Sequence, residues 1–202
     1  MRPAREVATS NGQTYFVTSN TAGRRALFRT ERWADLFVET LCSYRPDRFE
    51  LHAFVVMPDH FHVLITPTGS LERAVQFIKG GFSFKAKRAF DWSHDVWVAG
   101  FSDHRIRDEN DYAVHLRYID RNAVKAGLVK EESVYWWASA SGRFQLDTFP
   151  RGLKPDKVNG IDGAAKAAPF QSGAESMSIQ RETKAVPFQI EAAQQARQGN
   201  EN

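Results

Sequence analysis

Two runs rich in β-branched and aromatic side chains, Phe49–Met57 (FELHAFVVM) and 60–66 (HFHVLIT), are separated only by Pro58-Asp59. A two-residue gap can be crossed only by a tight turn, so the pair predicts an antiparallel hairpin that the rest of the chain must pack against. Upstream, 14–18 (TYFVT) stops at Asn20 and reads as a first strand. A helix follows it, with Thr30 as N-cap and Trp33, Leu36, Phe37, Thr40 and Leu41 at helical spacing until Pro46. Ser70 with Glu72 opens a second helix whose Leu71, Val75 and Ile78 share one stripe. The segment 95–101 (DVWVAGF) predicts a fourth strand. Asp108-Glu109-Asn110-Asp111 begins a third helix, which is expected to run unbroken to Gly127. The order strand, helix, strand, strand, helix, strand, helix predicts an α+β fold. Its form is a ferredoxin-like antiparallel sheet with helices on one face, the other face open, and an additional C-terminal helix.

Composition narrows the class. Of 202 residues, 42% are hydrophobic, 12% aromatic and 25% charged, values that exclude wholesale disorder, collagen and coiled coil. A lone cysteine, Cys42, cannot make an internal disulfide or a cysteine zinc site, which predicts a cytoplasmic protein. No signal peptide or membrane span is expected. The formal charge of +3 suits a polyanionic partner and many other functions equally. From Pro155 the chain turns rich in Ala, Gln, Gly and Ser, so residues 1–154 are read as the domain and 155–202 as a low-complexity, disordered tail. Within that tail Lys166-Ala167-Ala168-Pro169-Phe170-Gln171 returns as Lys184-Ala185-Val186-Pro187-Phe188-Gln189, too brief a repeat for a solenoid.

The chemistry concentrates in His60-Phe61-His62. Side chains alternate along a strand, so both imidazoles point to one side while Phe61, Val63 and Ile65 point to the other. Two neutral imidazoles side by side can chelate a divalent metal, or they can simply sit solvated on a sheet. In the third helix, Tyr112, Leu116, Ile119, Ala123 and Ala126 fall on a core-facing arc, and Asp111, His115, Tyr118 and Asn122 on a neighbouring polar arc. A metal held by His60, His62 and the Asn122 amide could polarise a phosphate for attack by Tyr118.

Other residues have weaker claims. His115, one turn before Tyr118, is a possible base or a supporting residue. Arg105 and Arg107, beside His104 in an expected loop, and Lys79, Lys85, Lys87 and Arg88 on the second helix are candidates for contact with the phosphates of a polyanion, or are simply solvated. Arg2 and Arg5 form a basic arm, a candidate clamp on the same phosphates and otherwise disordered. Asp59 reads as a turn residue, His52 as a sheet-face residue, and Trp136-Trp137 as closing a core rather than stacking on bases.

The strings Val55-Val56-Met57-Pro58-Asp59-His60-Phe61-His62, Ile106-Arg107-Asp108-Glu109 and His115-Leu116-Arg117-Tyr118-Ile119-Asp120-Arg121-Asn122-Ala123-Val124-Lys125-Ala126-Gly127-Leu128-Val129 resemble the REP-associated tyrosine transposases. These are single-strand-specific HUH endonucleases, and the resemblance covers about 15–144. It implies that His60, His62 and Asn122 hold Mg²⁺ or Mn²⁺, and that Tyr118 forms a 5′-phosphotyrosine bond with cleaved single-stranded DNA carrying a REP-like hairpin. One copy of the chain is favoured over a dimer as the acting form. Two positions depart from the family pattern: Ala123 replaces a usual proline, which lets the third helix run straight on, and Val98 follows Trp97 where glutamine is common. The rival readings are a nucleic-acid-binding protein that has kept the fold without catalysis, and a metal-binding regulator that has lost activity.

Overall fold

The computed structural model describes Thr9, residues 12–150 and Leu153. Arg2, Arg5, the boundary at 154/155 and the repeated Pro-Phe-Gln segment lie outside the described residues.

Four strands form one antiparallel sheet: β1 (Tyr15–Asn20), β2 (Phe49–Met57), β3 (His60–Pro67) and β4 (Ser102–Arg105), in the order β2-β3-β1-β4. This is the ferredoxin-like order that the alternation of elements predicts. Met57 pairs with His60 across Pro58-Asp59, as a two-residue hairpin requires. The register slips between Leu51 and Ala53, so one extra residue of β2 bulges at His52. The imidazole of His52 is anchored there, Nδ1 to the Thr148 carbonyl at 2.9 Å and Nε2 to Thr66 Oγ1 at 2.8 Å.

Helices α1 (Glu31–Ser43) and α2 (Leu71–Phe90) cover one face of the sheet. Their Phe37, Leu41, Ile78 and Phe82 pack on Tyr15, Val17, Phe61, Val63 and Ile65 from alternate strand positions. Ser70 Oγ accepts from Arg73 N and caps α2, whereas Thr30 stands at the N-cap of α1 without a side-chain capping bond.

The expected open face is covered. Ala53, Val55, Met57 and Leu64 present a second apolar surface on the opposite side of the sheet, and α3 (Glu109–Asp120) lays Tyr112 and Ile119 on it. A strand apolar on both faces must bury both, which forces a third layer.

Two further expectations change. The segment 95–101 is not a regular strand: Trp97 makes one isolated bridge with Thr21, and β4 begins at Ser102. The apolar signal there reflects core burial, since Trp97 packs among Phe28, Phe37, Phe61 and Phe82 and donates Nε1–H to the Lys79 carbonyl. His104 and Arg105 accordingly sit in a strand, not a loop. The third helix is also divided: Arg121 (φ −88°, ψ 0°) separates α3 from the single turn α4 (Asn122–Lys125). Lacking proline at 123 removes one cause of a break and does not prevent another. The expected end holds, because Gly127 at φ 69° closes a Schellman motif with Gly127 N–H on the Val124 carbonyl and Leu128 N–H on that of Ala123.

Beyond α4 the chain returns along the outer edge of β2. Val55 bridges to Ala138, Val56 N donates to the Trp137 carbonyl, and the Tyr135 hydroxyl donates to the Val56 carbonyl. This strap occupies edge groups that would otherwise stand open for another chain to pair with. Trp137 packs against the core as expected, while Trp136 is exposed with the Arg143 guanidinium over its ring.

Candidate active site

Alternation in β1, β3 and β4 sends Phe16, Thr18, His60, His62 and His104 to the α3 side of the sheet. There the aromatic rings converge. The ring centroid of His62 lies 4.9 Å from His60, 5.2 Å from Phe16 and 5.2 Å from Tyr118. Phe16 also touches His115 (4.9 Å) and Tyr118 (5.7 Å), so its ring packs against those of His62, His115 and Tyr118. Tyr118 is 38% exposed and Lys125 sits over its ring, leaving the phenol reachable from solvent. Asn122 is buried at the first position of α4, one turn beyond Tyr118.

The two histidines are held by different means. His60 Nδ1–H donates to Asp59 Oδ1 at 2.6 Å, which leaves Nε2 unprotonated in the neutral ring. His62 Nδ1 is bonded to Thr18 Oγ1 at 2.7 Å, and its Nε2 is buried without a hydrogen-bond partner. Burial, followed by the nearby His60, pushes the His62 imidazole down to about 3, so it is neutral at physiological pH. Buried ring nitrogens are normally satisfied; an orphaned one, on a ring whose centroid is 4.9 Å from that of a second imidazole, is the donor type that divalent metals take.

A second cluster lies next to the first. The Asp111 carboxylate, nearly buried, accepts from His104 Nε2 (2.9 Å), Arg107 Nε (3.1 Å) and Arg107 N (3.2 Å), while the Asp111 backbone carbonyl accepts from His115 Nδ1 (2.8 Å), which also stands 3.1 Å from the carboxylate. Burial alone would raise its carboxyl, but the bonds from His104 and Arg107 outweigh that and hold it below the usual carboxylate range. His104, Asp111 and His115 place one ligand atom each within 4.8 Å of one another, as a metal site would. Their polar atoms are already engaged, however, and a guanidinium stands beside the carboxylate. The cluster therefore works as a clasp between β4 and α3 that fixes His115 and the Tyr118 helix.

Most of the predicted phosphate contacts are not gathered at this place. Lys79, Lys85, Lys87 and Arg88 ride on α2, which packs on the opposite face of the sheet. Lys79 Nζ donates to the Val98 and Gly100 carbonyls, Lys85 pairs with Glu39 at 3.1 Å, and Arg88 lies over Phe84. Arg105 is exposed on β4 at a position paired with Tyr15, hence on that same opposite face, and Arg107 is engaged by Asp111. Sequence reading missed Phe16, Thr18 and Lys125. The alternation within β1 could have placed the first two beside the histidines, since it puts Phe16 and Thr18 on one face.

A ferredoxin-like sheet whose His-x-His strand faces a tyrosine-bearing helix defines an α+β protein that brings two imidazoles and a phenol to one spot. The chain belongs to the IS200-like transposase family, whose model matches residues 9–122. It is 32% identical over 165 residues to a REP-associated tyrosine transposase of Escherichia coli (strain K12), a match covering 80% of this chain and 91% of that protein. It also resembles the solved structure of a REP-associated tyrosine transposase bound to a REP hairpin. That match has a TM-score of 0.57 and 28% identity over 81% of this chain and 92% of the other.

Proposed function

We propose that this protein is a cytoplasmic, divalent-metal-dependent endonuclease that cuts and rejoins single-stranded DNA beside a folded hairpin, with Tyr118 as nucleophile. The observation that carries the reading is the buried, unpartnered Nε2 of His62 packed against the Tyr118 ring. The family membership and the hairpin bound by the similar transposase support the substrate class.

His60, His62 and Asn122 would hold Mg²⁺ or Mn²⁺, which when bound withdraws charge from the scissile phosphate. Two imidazoles and an amide leave coordination positions free for phosphate oxygens. The Tyr118 hydroxyl releases its proton to solvent and its oxygen bonds to phosphorus as the bond to the 3′ oxygen breaks, leaving a 5′-phosphotyrosine and a 3′ oxygen that takes up a proton from solvent to become a hydroxyl. Reversal by a 3′-hydroxyl rejoins the strand. Phe16 excludes water from the inner side of the rings, and Asp111 holds His115 with Nδ1–H donated inward and Nε2 as its acceptor atom. An unpaired strand suits this site because a duplex keeps its backbone within stacked, paired strands that cannot thread onto one tyrosine helix.

End-labelled single-stranded DNA with a stem-loop, offered beside the same sequence as perfect duplex, tests the reading. Cleavage of the hairpin strand alone is expected. It should stop on chelation, return with Mg²⁺ or Mn²⁺, and be absent from His60→Ala and His62→Ala. Equal cutting of duplex, or undiminished cutting by either variant, would contradict it.

A further inference from the structure

The turn that follows β1 uses backbone that side chains rarely adopt. Gly23 lies at φ 63° and Arg24, which carries a Cβ, at φ 54°. Such a residue persists in the left-handed region only where its surroundings hold it there. The guanidinium of Arg24 shows what does so: Nε lies 3.1 Å from Asp59 Oδ2, and Nη1 donates to Asn20 Oδ1 at 2.5 Å. Asn20 is the residue directly opposite His60 in the β1–β3 register. Asp59 is fixed from behind as well, since Thr21 N and Oγ1 both donate to its carbonyl, at 2.9 and 3.0 Å. Its other carboxylate oxygen accepts a hydrogen bond from His60 Nδ1–H.

These contacts form one line, guanidinium to carboxylate to imidazole. A free neutral histidine prefers its proton on Nε2. The carboxylate at Nδ1 reverses that preference and turns a bare Nε2 outward, as partners of metal-binding histidines do. Arg24, bound to the second carboxylate oxygen and to Asn20, stops the carboxylate from rotating away.

We propose that Arg24 and Asp59 are positioning residues for the cation site, holding His60 as the Nδ1–H tautomer with Nε2 ready for the ion. The proposal rests on the metal reading above for what Nε2 binds, and on the contacts of this turn for the rest.

The full-length protein without DNA supplies the test. Nitrogen chemical shifts of the His60 ring, assigned with His60→Ala and recorded without metal above neutral pH, report the tautomer. Titration with Mn²⁺ alone reports affinity. Asp59→Ala should move His60 to the Nε2–H form and weaken Mn²⁺ binding by about 10–100-fold. Asp59→Asn, which keeps an acceptor oxygen, should restore part of both. Arg24→Gly is the informative partner, because glycine accepts φ 54° without strain and the melting temperature should hold or rise. It should still weaken Mn²⁺ binding by about two- to fivefold, the scale of an exposed ion pair.

An Nδ1–H tautomer and wild-type Mn²⁺ affinity in Asp59→Ala would overturn the proposal. Unchanged affinity in Arg24→Gly would overturn the part assigned to Arg24. If His62→Ala abolishes Mn²⁺ binding while the turn variants keep it, the metal reading stands and this proposal falls. If the wild-type protein takes up no Mn²⁺, the metal reading itself falls, and the tautomer measurement still decides whether Asp59 sets His60.

Discussion

Burial gives His62 its chemistry. An imidazole in water exchanges its lone pair with solvent, whereas this one has lost that partner and stays neutral down to about 3. Asp111 is the opposite case, a buried carboxylate with every need met. Asp111→Ala would leave the His104 and Arg107 donors without their acceptor, and the protein should lose roughly 1–3 kcal/mol, read as a lower urea midpoint. Unchanged stability would show that the clasp does not hold α3 to the sheet. At this scale the sequence was partly legible. His60 and His62 could be placed on one strand face because a strand's period of two needs no tertiary information. Asp111 appeared only as a member of a polar helix arc, and Arg24 not at all, because their roles come from partners on other elements.

Elements were legible where local pattern and final burial agree. The hairpin, α2 with its Ser70 cap and the Gly127 stop obey short-range rules, and each stands where those rules put it. The misread fourth strand fails for a physical reason: a run such as 95–101 is apolar because it faces the core, whether or not its backbone joins the ladder. The strap after α4 was invisible for a similar reason, since it is held by contacts across about a hundred residues of sequence. Arg45 grips Asp147 through Nε at 2.7 Å and Nη2 at 2.9 Å, and Leu51 N donates to the same carboxylate at 2.7 Å. The Arg45 bond comes first among the causes that hold the Asp147 carboxyl below its ordinary range. A depressed carboxylate stabilises the fold above its unfolded value near 3.8 and loses that contribution as pH falls through the lower folded value. Asp147→Asn should therefore cost about 1–2 kcal/mol at pH 7. The gap between variant and wild type should close as unfolding is followed below pH 4. A gap that stays constant on acidification would separate the strap from this carboxylate.

Across the whole molecule, one sheet serves two purposes. Its α1–α2 face builds the larger core, and its α3 face combines apolar anchoring by Ile119 and Ala123 with the ring cluster around His62. The expected open face followed from counting only the helices of the split β-α-β repeat. The apolar residues that β2 carries on both sides were the signal for a third layer. Among the described residues the packing runs from Thr9 to Leu153, and we propose that a chain ending at Lys154 keeps a cooperative melt. An unfolded product would show that later residues complete the core. The central claim is that Tyr118 is the group that attacks DNA, and it is tested most directly by trapping the bond. The protein would be incubated with hairpin single-stranded DNA and Mn²⁺, run on a denaturing gel, and the digested adduct sequenced by mass spectrometry. A covalent species with the nucleotide on Tyr118 is expected, absent in Tyr118→Phe while that variant still binds the hairpin. A nucleotide attached to any other residue, or an adduct that survives Tyr118→Phe, would contradict it.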